Sequence, residues 1–310
     1  SKPRVHRMIE RQGIPPADWL DISTGIAPWP IPLPAVPAAV WQRLPEADDG
    51  LEAIARGYYG AGPLLALPGS QAAIQALPRL LLPGRVAVAA PIYGEHPAAW
   101  AAAGHRVVPW DLAADYGVLC NPNNPDGRRR GRAELLARAR DLRLLVVDEA
   151  FADPEPGESL LAEAGGNIVV LRSLGKFFGL AGARVGFAIG DAALLSRLAE
   201  ALGPWPLAHP ARWAAGLALS DGPWQVVQRH ILIAASSRLE GLLRAASLGD
   251  STGTALFRYL ATPRAGEIHE GLARQGILTR LLAEPAALRF GLPGDEVQWQ
   301  RLERALATAA

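Results

Sequence analysis

Lys176 is the residue whose type most restricts the chemistry. Of the 31 lysines and arginines in the chain, only Lys2 and Lys176 are lysine, and Lys2 stands at the terminus. Arginine can replace lysine for solubility and for most ion pairs, but its guanidinium stays protonated. A desolvated lysine amine can lose its proton and condense with a carbonyl to an imine. A chain that avoids lysine and yet keeps one between Gly175 and Phe177-Phe178 points to carbonyl chemistry; the plain alternative is a chance lysine on a loop. Ser173 to Lys176 is one of four polar clusters, with Gly69-Ser70-Gln71, Asn121 to Gly127 and Asp148-Glu149. Singly, each has an ordinary explanation: Ser70 and Asp148 as helix caps, the Asn-Pro run as a turn. Together with the lone lysine they describe a site for an anionic cofactor that forms an imine.

Such clusters need elements to present them. Apolar runs at Leu64–Leu67, Arg85–Ala90, His105–Pro109, Gly117–Cys120, Leu142–Val147 and Ile168–Leu171 read as strands. Leu51–Tyr59, Gln71–Leu82, Gly94–Ala103 and Ala133–Arg140 read as the helices between them. Strands that do not alternate, separated by helices, imply an α/β domain with a largely parallel sheet buried on both faces. Functional groups in such sheets gather at the carboxyl ends of the strands, where all four clusters fall. From about residue 200 the texture changes. Helical patterns at Ala211–Leu219 and Trp224–Ala246 precede short strands at Ala255–Leu260, Gly276–Leu281 and Leu288–Leu292 and a closing helix, an α+β domain. The division expected is an N-terminal segment (1–25) joining the smaller domain, a large domain over 26–205 and a small one over 206–310.

Composition narrows the class. The 310 residues are 50% hydrophobic with a net charge of +1, so nothing pulls the chain toward nucleic acid or an anionic membrane. Arg128-Arg129-Arg130 reads as a solvated loop. The single cysteine, Cys120, excludes intramolecular disulfides and Cys-rich zinc sites and reads as a small core residue. The six histidines lack two-ligand helical spacing, so no metal is expected. No apolar run reaches the ~18 residues of a membrane span and no charged-then-apolar leader opens the chain. A cytoplasmic setting is expected, with a trimmed N-terminus, since the chain opens on Ser1. Most of the nine tryptophans are expected in the core.

The stretch Ser173-Leu-Gly-Lys-Phe-Phe-Gly-Leu-Ala-Gly-Ala-Arg184-Val-Gly-Phe187 resembles the fold-type-I pyridoxal-phosphate enzymes. The likeness is to the branch holding histidinol-phosphate aminotransferases and threonine-phosphate decarboxylases. Pro91-Ile-Tyr-Gly-Glu-His96, Asn121–Gly127, Val146-Val-Asp-Glu-Ala-Phe151 and Leu288-Arg-Phe-Gly-Leu-Pro-Gly294 match in the same order. Trp19 to Ile26, Pro68 to Gln75 and the lysine stretch have the flavour of the decarboxylases of cobalamin biosynthesis. The resemblance implies an aspartate aminotransferase-like fold with a seven-stranded-type sheet, pyridoxal 5'-phosphate as cofactor, a small phosphorylated amino acid as substrate, and a homodimer. It also implies roles. Lys176 would bind the cofactor aldehyde and shuttle a proton at the substrate carbon. Asp148 would pair with the pyridine nitrogen, Asn124 would bond the phenolic oxygen, and Tyr93 would stack on the ring. Gly69, Ser70, Gln71, Ser173 and Arg184 would hold the phosphate. Arg289 would grip the substrate carboxylate. Arg280 is a candidate for a substrate phosphate, or else a surface arginine.

Several positions depart from the family pattern. Arg43-Leu44-Pro45 lacks the tyrosine that reaches a neighbouring subunit's cofactor phosphate. Ala27 replaces an Asn-Pro pair, and His6-Arg7-Met8 replaces His-Gly-Gly. Phe151 replaces an aminotransferase tyrosine, which favours decarboxylation of threonine phosphate. Aminotransfer with histidinol phosphate is the alternative, because the sequence does not fix which bond at the α-carbon breaks. A non-catalytic cofactor-binding module is a third reading, disfavoured because no DNA-binding segment is attached.

Overall fold

The computed structural model describes residues 11–46 and 48–309, and the chain forms two compact units. Among the described residues, the larger takes 30–124 and 128–228; the smaller takes 11–29, 125–127 and 229–309. The first strand, β1 (Leu20–Asp21), lies in the smaller unit. The larger unit is built on β2 (Leu64–Leu67), β3 (Arg85–Val88), β4 (Arg106–Pro109), β5 (Tyr116–Cys120), β6 (Leu144–Asp148), β7 (Ile168–Ser173) and β8 (Gly186–Ile189). They form a seven-stranded sheet in the order β2-β8-β7-β6-β5-β3-β4. Strands β3 to β7 run parallel, and β8 is antiparallel to both of its neighbours.

The unalternating apolar strands behave as their composition demands. Leu145, Val147, Val169, Val170 and Leu171 are 0% exposed, so adjacent residues on one strand are buried whichever face they point to. Burial of each such side chain contributes about 1.5–3 kcal/mol. Helices α1 (Ala38–Gln42), α2 (Leu51–Tyr59), α3 (Ser70–Ala76), α4 (Glu95–Ala102), α5 (Arg132–Ala139), α6 (Ala192–Leu202) and α7 (His209–Ser220) connect or flank the strands. Helix α2 has the expected bounds because left-handed glycines punctuate it, Gly50 at φ 88° and Gly60 at φ 64°. The helix expected over 71–82 is shorter. It leaves α-geometry at Ala76 and tightens to a 3-10 turn, Leu77–Leu80, at Pro78, which lacks the N–H an α-helix needs.

The boundary expected near residue 205 falls later. Residues 206–228 cluster with the larger unit, and the division comes inside helix α8 (Gly222–Ala245). Arg212 on α7 explains this: its guanidinium meets Asp49 at 2.7 Å and Glu52 at 2.7 Å, holding α7 to the start of α2. The expected N-terminal segment reaches Trp29 rather than residue 25.

In the smaller unit β1 pairs with β11 (Ile277–Leu278). A four-stranded antiparallel sheet joins β12 (Arg280–Leu282), β13 (Ala287–Gly291), β10 (Phe257–Ala261) and β9 (Thr252–Thr254) in that order. Helices α9 (Ala265–Ala273) and α10 (Glu296–Ala309) belong to the same unit. Of the tryptophans only Trp100, Trp110 and Trp299 are buried, while Trp41 and Trp205 are 68% and 59% exposed, against the expectation of a core role for most. Trp19 and Trp29 lie part-buried, each donating its indole N–H to a backbone carbonyl, which suits a residue apolar at one end and polar at the other.

Candidate active site

Register brings the candidate groups of the larger unit to one edge of its sheet. Cys120 pairs with Asp148, Asp148 with Leu171, Ser173 with Gly186, and Gly186 with Leu67. Asp148 thus ends β6 at the level where β5 and β7 release their loops. It is buried, so its charge needs partners. His96, in the first turn of α4, donates from Nε2 to Asp148 Oδ2 at 2.9 Å, and Ala150 N donates to Oδ1 at 3.0 Å. Among the histidines, which the sequence presents only as lacking metal-ligand spacing, His96 is thus a brace for the carboxylate. The signal was available, because His96 closes the Pro91–His96 motif that follows β3. Ligand atoms of His96, Cys120 and Asp148 all lie within 4.8 Å of one another. Cys120 is buried in β5, as expected for a small core residue.

Lys176 follows β7 and is half-buried, with Nζ 5.5 Å from the centroid of Phe151, three residues beyond Asp148. The amine is therefore held over the loop that leaves the carboxylate strand. Its neighbours Phe177 and Phe178 are 0% exposed and anchor the turn.

The third group is a small cup. Gly69 precedes α3 at φ +79°, a conformation that favours glycine, and makes no side-chain cap bond. Ser70 is the first helical residue, so the plain reading of Ser70 as the helix cap is not what forms. A Cβ on Gly69 would lie 2.9 Å from Arg184 Nη2, and one on Gly186 would lie 2.5 Å from Ser70 N. Gly69, Ser70, Arg184 and Gly186 therefore crowd one spot, and Ser173 sits beside them through its pairing with Gly186. Ser173 Oγ accepts from Gly175 N at 3.2 Å. Arg184 is itself left-handed, at φ 55°, an unusual backbone for a residue with a long side chain.

Tyr93 and Gln71 connect cup and carboxylate. Tyr93 Oη donates to Gln71 Oε1 at 3.3 Å, and Gln71 Nε2 donates to Glu95 Oε2 at 3.1 Å. The Tyr93 ring meets the His96 ring edge-on at 6.2 Å. Partial burial, followed by the nearby Glu95 and Asp148 carboxylates, pushes the Tyr93 phenol above its ordinary value, so it stays a neutral donor. The loop 121–127 is folded by its asparagines. Asn121 Nδ2 donates to Arg130 O at 3.0 Å and Asn123 Nδ2 to Pro91 O at 2.7 Å, while Asn124 is half-buried. Of the basic run that follows, Arg128 and Arg129 are exposed, and Arg129 pairs with Glu155 at 2.7 Å.

Behind this edge lies a network that the sequence did not reveal. Glu149, next to Asp148, and Arg172, next to Ser173, are both buried and 3.0 Å apart. Arg172 also meets Asp153 at 3.3 Å, and Asp153 accepts from Tyr58 Oη at 2.8 Å. Ser159 Oγ and Leu160 N donate to the Glu149 carboxylate at 2.6 and 2.7 Å. Desolvation raises the Glu149 carboxyl above its ordinary value, against the pull of Arg172 and these donors. The cluster ties the ends of β6 and β7 together through the residue after Asp148 and the residue before Ser173.

The two substrate candidates lie in the smaller unit. Arg289 is buried, donates from Nη2 to Ser23 O at 2.9 Å, and lies 5.1 Å over the Phe257 ring. Arg280, half-buried, is its direct partner across β12 and β13. Among the departures, Ala27 is buried and Leu44 is 61% exposed; His6, Arg7 and Met8 lie outside the described residues.

The family model for aminotransferase class I and II matches residues 52–280. A threonine-phosphate decarboxylase of Pseudomonas aeruginosa is 53% identical, covering 98% of this chain and 96% of its own. One from Sinorhizobium sp. is 44% identical, covering 96% and 94%. A histidinol-phosphate aminotransferase from Sinorhizobium meliloti, solved with pyridoxal-5'-phosphate, superposes with a TM-score of 0.87 at 19% identity, over 100% of this chain and 95% of that one. The expected aspartate aminotransferase-like fold is the fold observed. The chain belongs to the aminotransferase class I and II family.

Proposed function

We propose that the chain is a pyridoxal-phosphate-dependent lyase that decarboxylates L-threonine O-3-phosphate to (R)-1-aminopropan-2-ol O-2-phosphate, a step of cobalamin biosynthesis. The observation that carries this reading is 53% identity to a threonine-phosphate decarboxylase along nearly the whole of both chains. The donor set fits the cofactor. The larger unit offers one amine, a buried carboxylate braced by a histidine, and a cup at Gly69 and Gly186 where any Cβ would intrude. Bound there, pyridoxal phosphate supplies an electron sink for the charge left on a substrate carbon after CO₂ departs.

The chain's own residues take the other tasks. Lys176 Nζ binds the cofactor and returns a proton to the substrate α-carbon. Asp148, oriented by His96 and Ala150 N, holds the proton on the pyridine nitrogen. Asn124 bonds the ring oxygen and Tyr93 covers the ring face. The backbone N–H groups of Ser70 and Gln71, with Ser173 and Arg184, receive the phosphate as an anion beside a guanidinium, while Gly69, whose own N–H donates to Leu67 O at 2.7 Å, supplies the turn that opens the cup. Gln71 contributes through its backbone, because its side chain already bridges Tyr93 and Glu95. Arg289 takes the substrate carboxylate and Arg280 the substrate phosphate.

The working unit of this reading is a homodimer in the cytoplasm. The exposed Trp41 and Trp205 support an interface on the larger unit, and no helix among the described residues is long and apolar enough to cross a membrane. Light scattering on the purified protein checks the dimer. The reaction is tested with cofactor and threonine phosphate alone: CO₂ is released with no 2-oxoglutarate added. Amino transfer to 2-oxoglutarate without CO₂ overturns the proposal.

A further inference from the structure

The chain changes sheets between β11 and β12. Ile277 and Leu278 pair with β1, Arg280 to Leu282 pair with β13, and the single residue between them is Thr279. Thr279 is 1% exposed, and its Oγ1 lies 2.8 Å from Nδ1 of His269, itself buried on α9. The next residue, Arg280, stands directly opposite Arg289. Antiparallel partners point to the same face, and two like charges so placed repel unless an anion lies near both. A strand that has just left one sheet has no ladder on its amino-terminal side to fix its register in the next. A slip of one residue at this point would turn Arg280 to the opposite face.

We propose that His269, acting through the Thr279 hydroxyl, is a positioning residue that fixes the strand change and so keeps the Arg280 guanidinium beside Arg289 for an anionic group of the substrate. The proposal rests on the reading of Arg280 as a phosphate ligand. Neither His269 nor Thr279 touches substrate or cofactor in this scheme. Their contribution is to the geometry of a charged group next in sequence, and it falls on anion affinity rather than on the reacting bond.

The test uses Thr279→Val, which keeps shape and removes the hydroxyl, and Thr279→Ser, which keeps the hydroxyl. Both are purified as holoenzyme. Thr279→Val is expected to raise the KM for threonine phosphate about tenfold and to weaken binding of inorganic phosphate, read by calorimetry, by the same order, with kcat and the cofactor absorbance band retained. Thr279→Ser is expected to restore both affinities. Unchanged phosphate affinity in Thr279→Val, or a Thr279→Ser variant as impaired as Thr279→Val, overturns the proposal. A parallel loss of kcat and of the absorbance band in Thr279→Val overturns it too, by showing a general structural role. Phosphate calorimetry does not depend on turnover, so a wild-type enzyme that releases no CO₂ would sink the decarboxylase reading and leave this comparison decisive.

Discussion

In the larger unit the candidate groups stand at the ends of neighbouring strands: Asp148 closes β6, Ser173 closes β7, and Gly186 opens β8 between Ser173 and Leu67. In the smaller unit the candidate arginines are themselves a register pair on adjacent strands, Arg280 opening β12 against Arg289 within β13. Strand ends release loops, and a loop can carry several chemical groups in consecutive residues. A register pair carries one group per strand and depends on the alignment of the two strands. The first arrangement suits a rigid cofactor with several anchoring points, and the second suits two anions a fixed distance apart. The kinetic consequence expected from the proposed roles is a division of labour: damage at the strand ends should cost turnover and cofactor, and damage at the register pair should cost substrate affinity.

The sharpest test of that division is Lys176→Ala. Loss of kcat on the order of 10⁴-fold is expected, together with the visible cofactor band, measured by CO₂ release and an absorbance scan. Retained turnover would break the comparison at its strongest point. Next is Arg172→Met, which leaves the Glu149 and Asp153 carboxylates buried without their cation. A destabilisation of about 3–5 kcal/mol is expected in a denaturant titration. A near-neutral result would mean that the strand ends hold their geometry without the charge cluster behind them.

Arg289→Lys probes the other unit. A lysine keeps the charge and loses the planar fork. The KM for threonine phosphate should rise roughly 10–100-fold with kcat much less affected; a kcat effect larger than the KM effect would erase the distinction between the units. The smallest effect expected is a control at Asp49, in the larger unit but outside both sets of candidate residues. The Arg212 hydrogen bond holds the Asp49 carboxyl below its ordinary 3.8. A carboxyl depressed by folding stabilises above its unfolded value and loses that contribution as pH falls through the folded one. Asp49 is partly solvated, so the term is screened and should stay below about 1 kcal/mol. In thermal melts at falling pH, Asp49→Asn should flatten the acid limb while leaving KM and kcat alone.

The same division explains what was legible in the sequence. Asp148 and Ser70 could be singled out because polar residues interrupt the apolar pattern at those points, Lys176 because lysine is otherwise nearly absent, and Arg184 only through the family resemblance. The helix bounds Leu51 and Tyr59 were legible because glycines flank them. The bracing of Asp148 by His96 was not, since it joins residues 52 apart in the chain. Nor was the triad of Glu149, Arg172 and Asp153, whose ion pairs join residues 19 and 23 apart in the chain. The division at 228 also escaped, because what holds α7 to the larger unit is a salt-bridge fork from Arg212 across 160 residues to Glu52. Register and long-range ion pairing are decided by packing, and neither leaves a periodic mark on the chain.

The scarcity of lysine has a practical side. An amine-directed acylating reagent has a single internal target beyond the terminal region, and that target is half-buried against Phe151. The extent of labelling at Lys176, followed by mass spectrometry, therefore becomes a stoichiometric count of vacant sites, and added pyridoxal phosphate should protect the residue in proportion to occupancy.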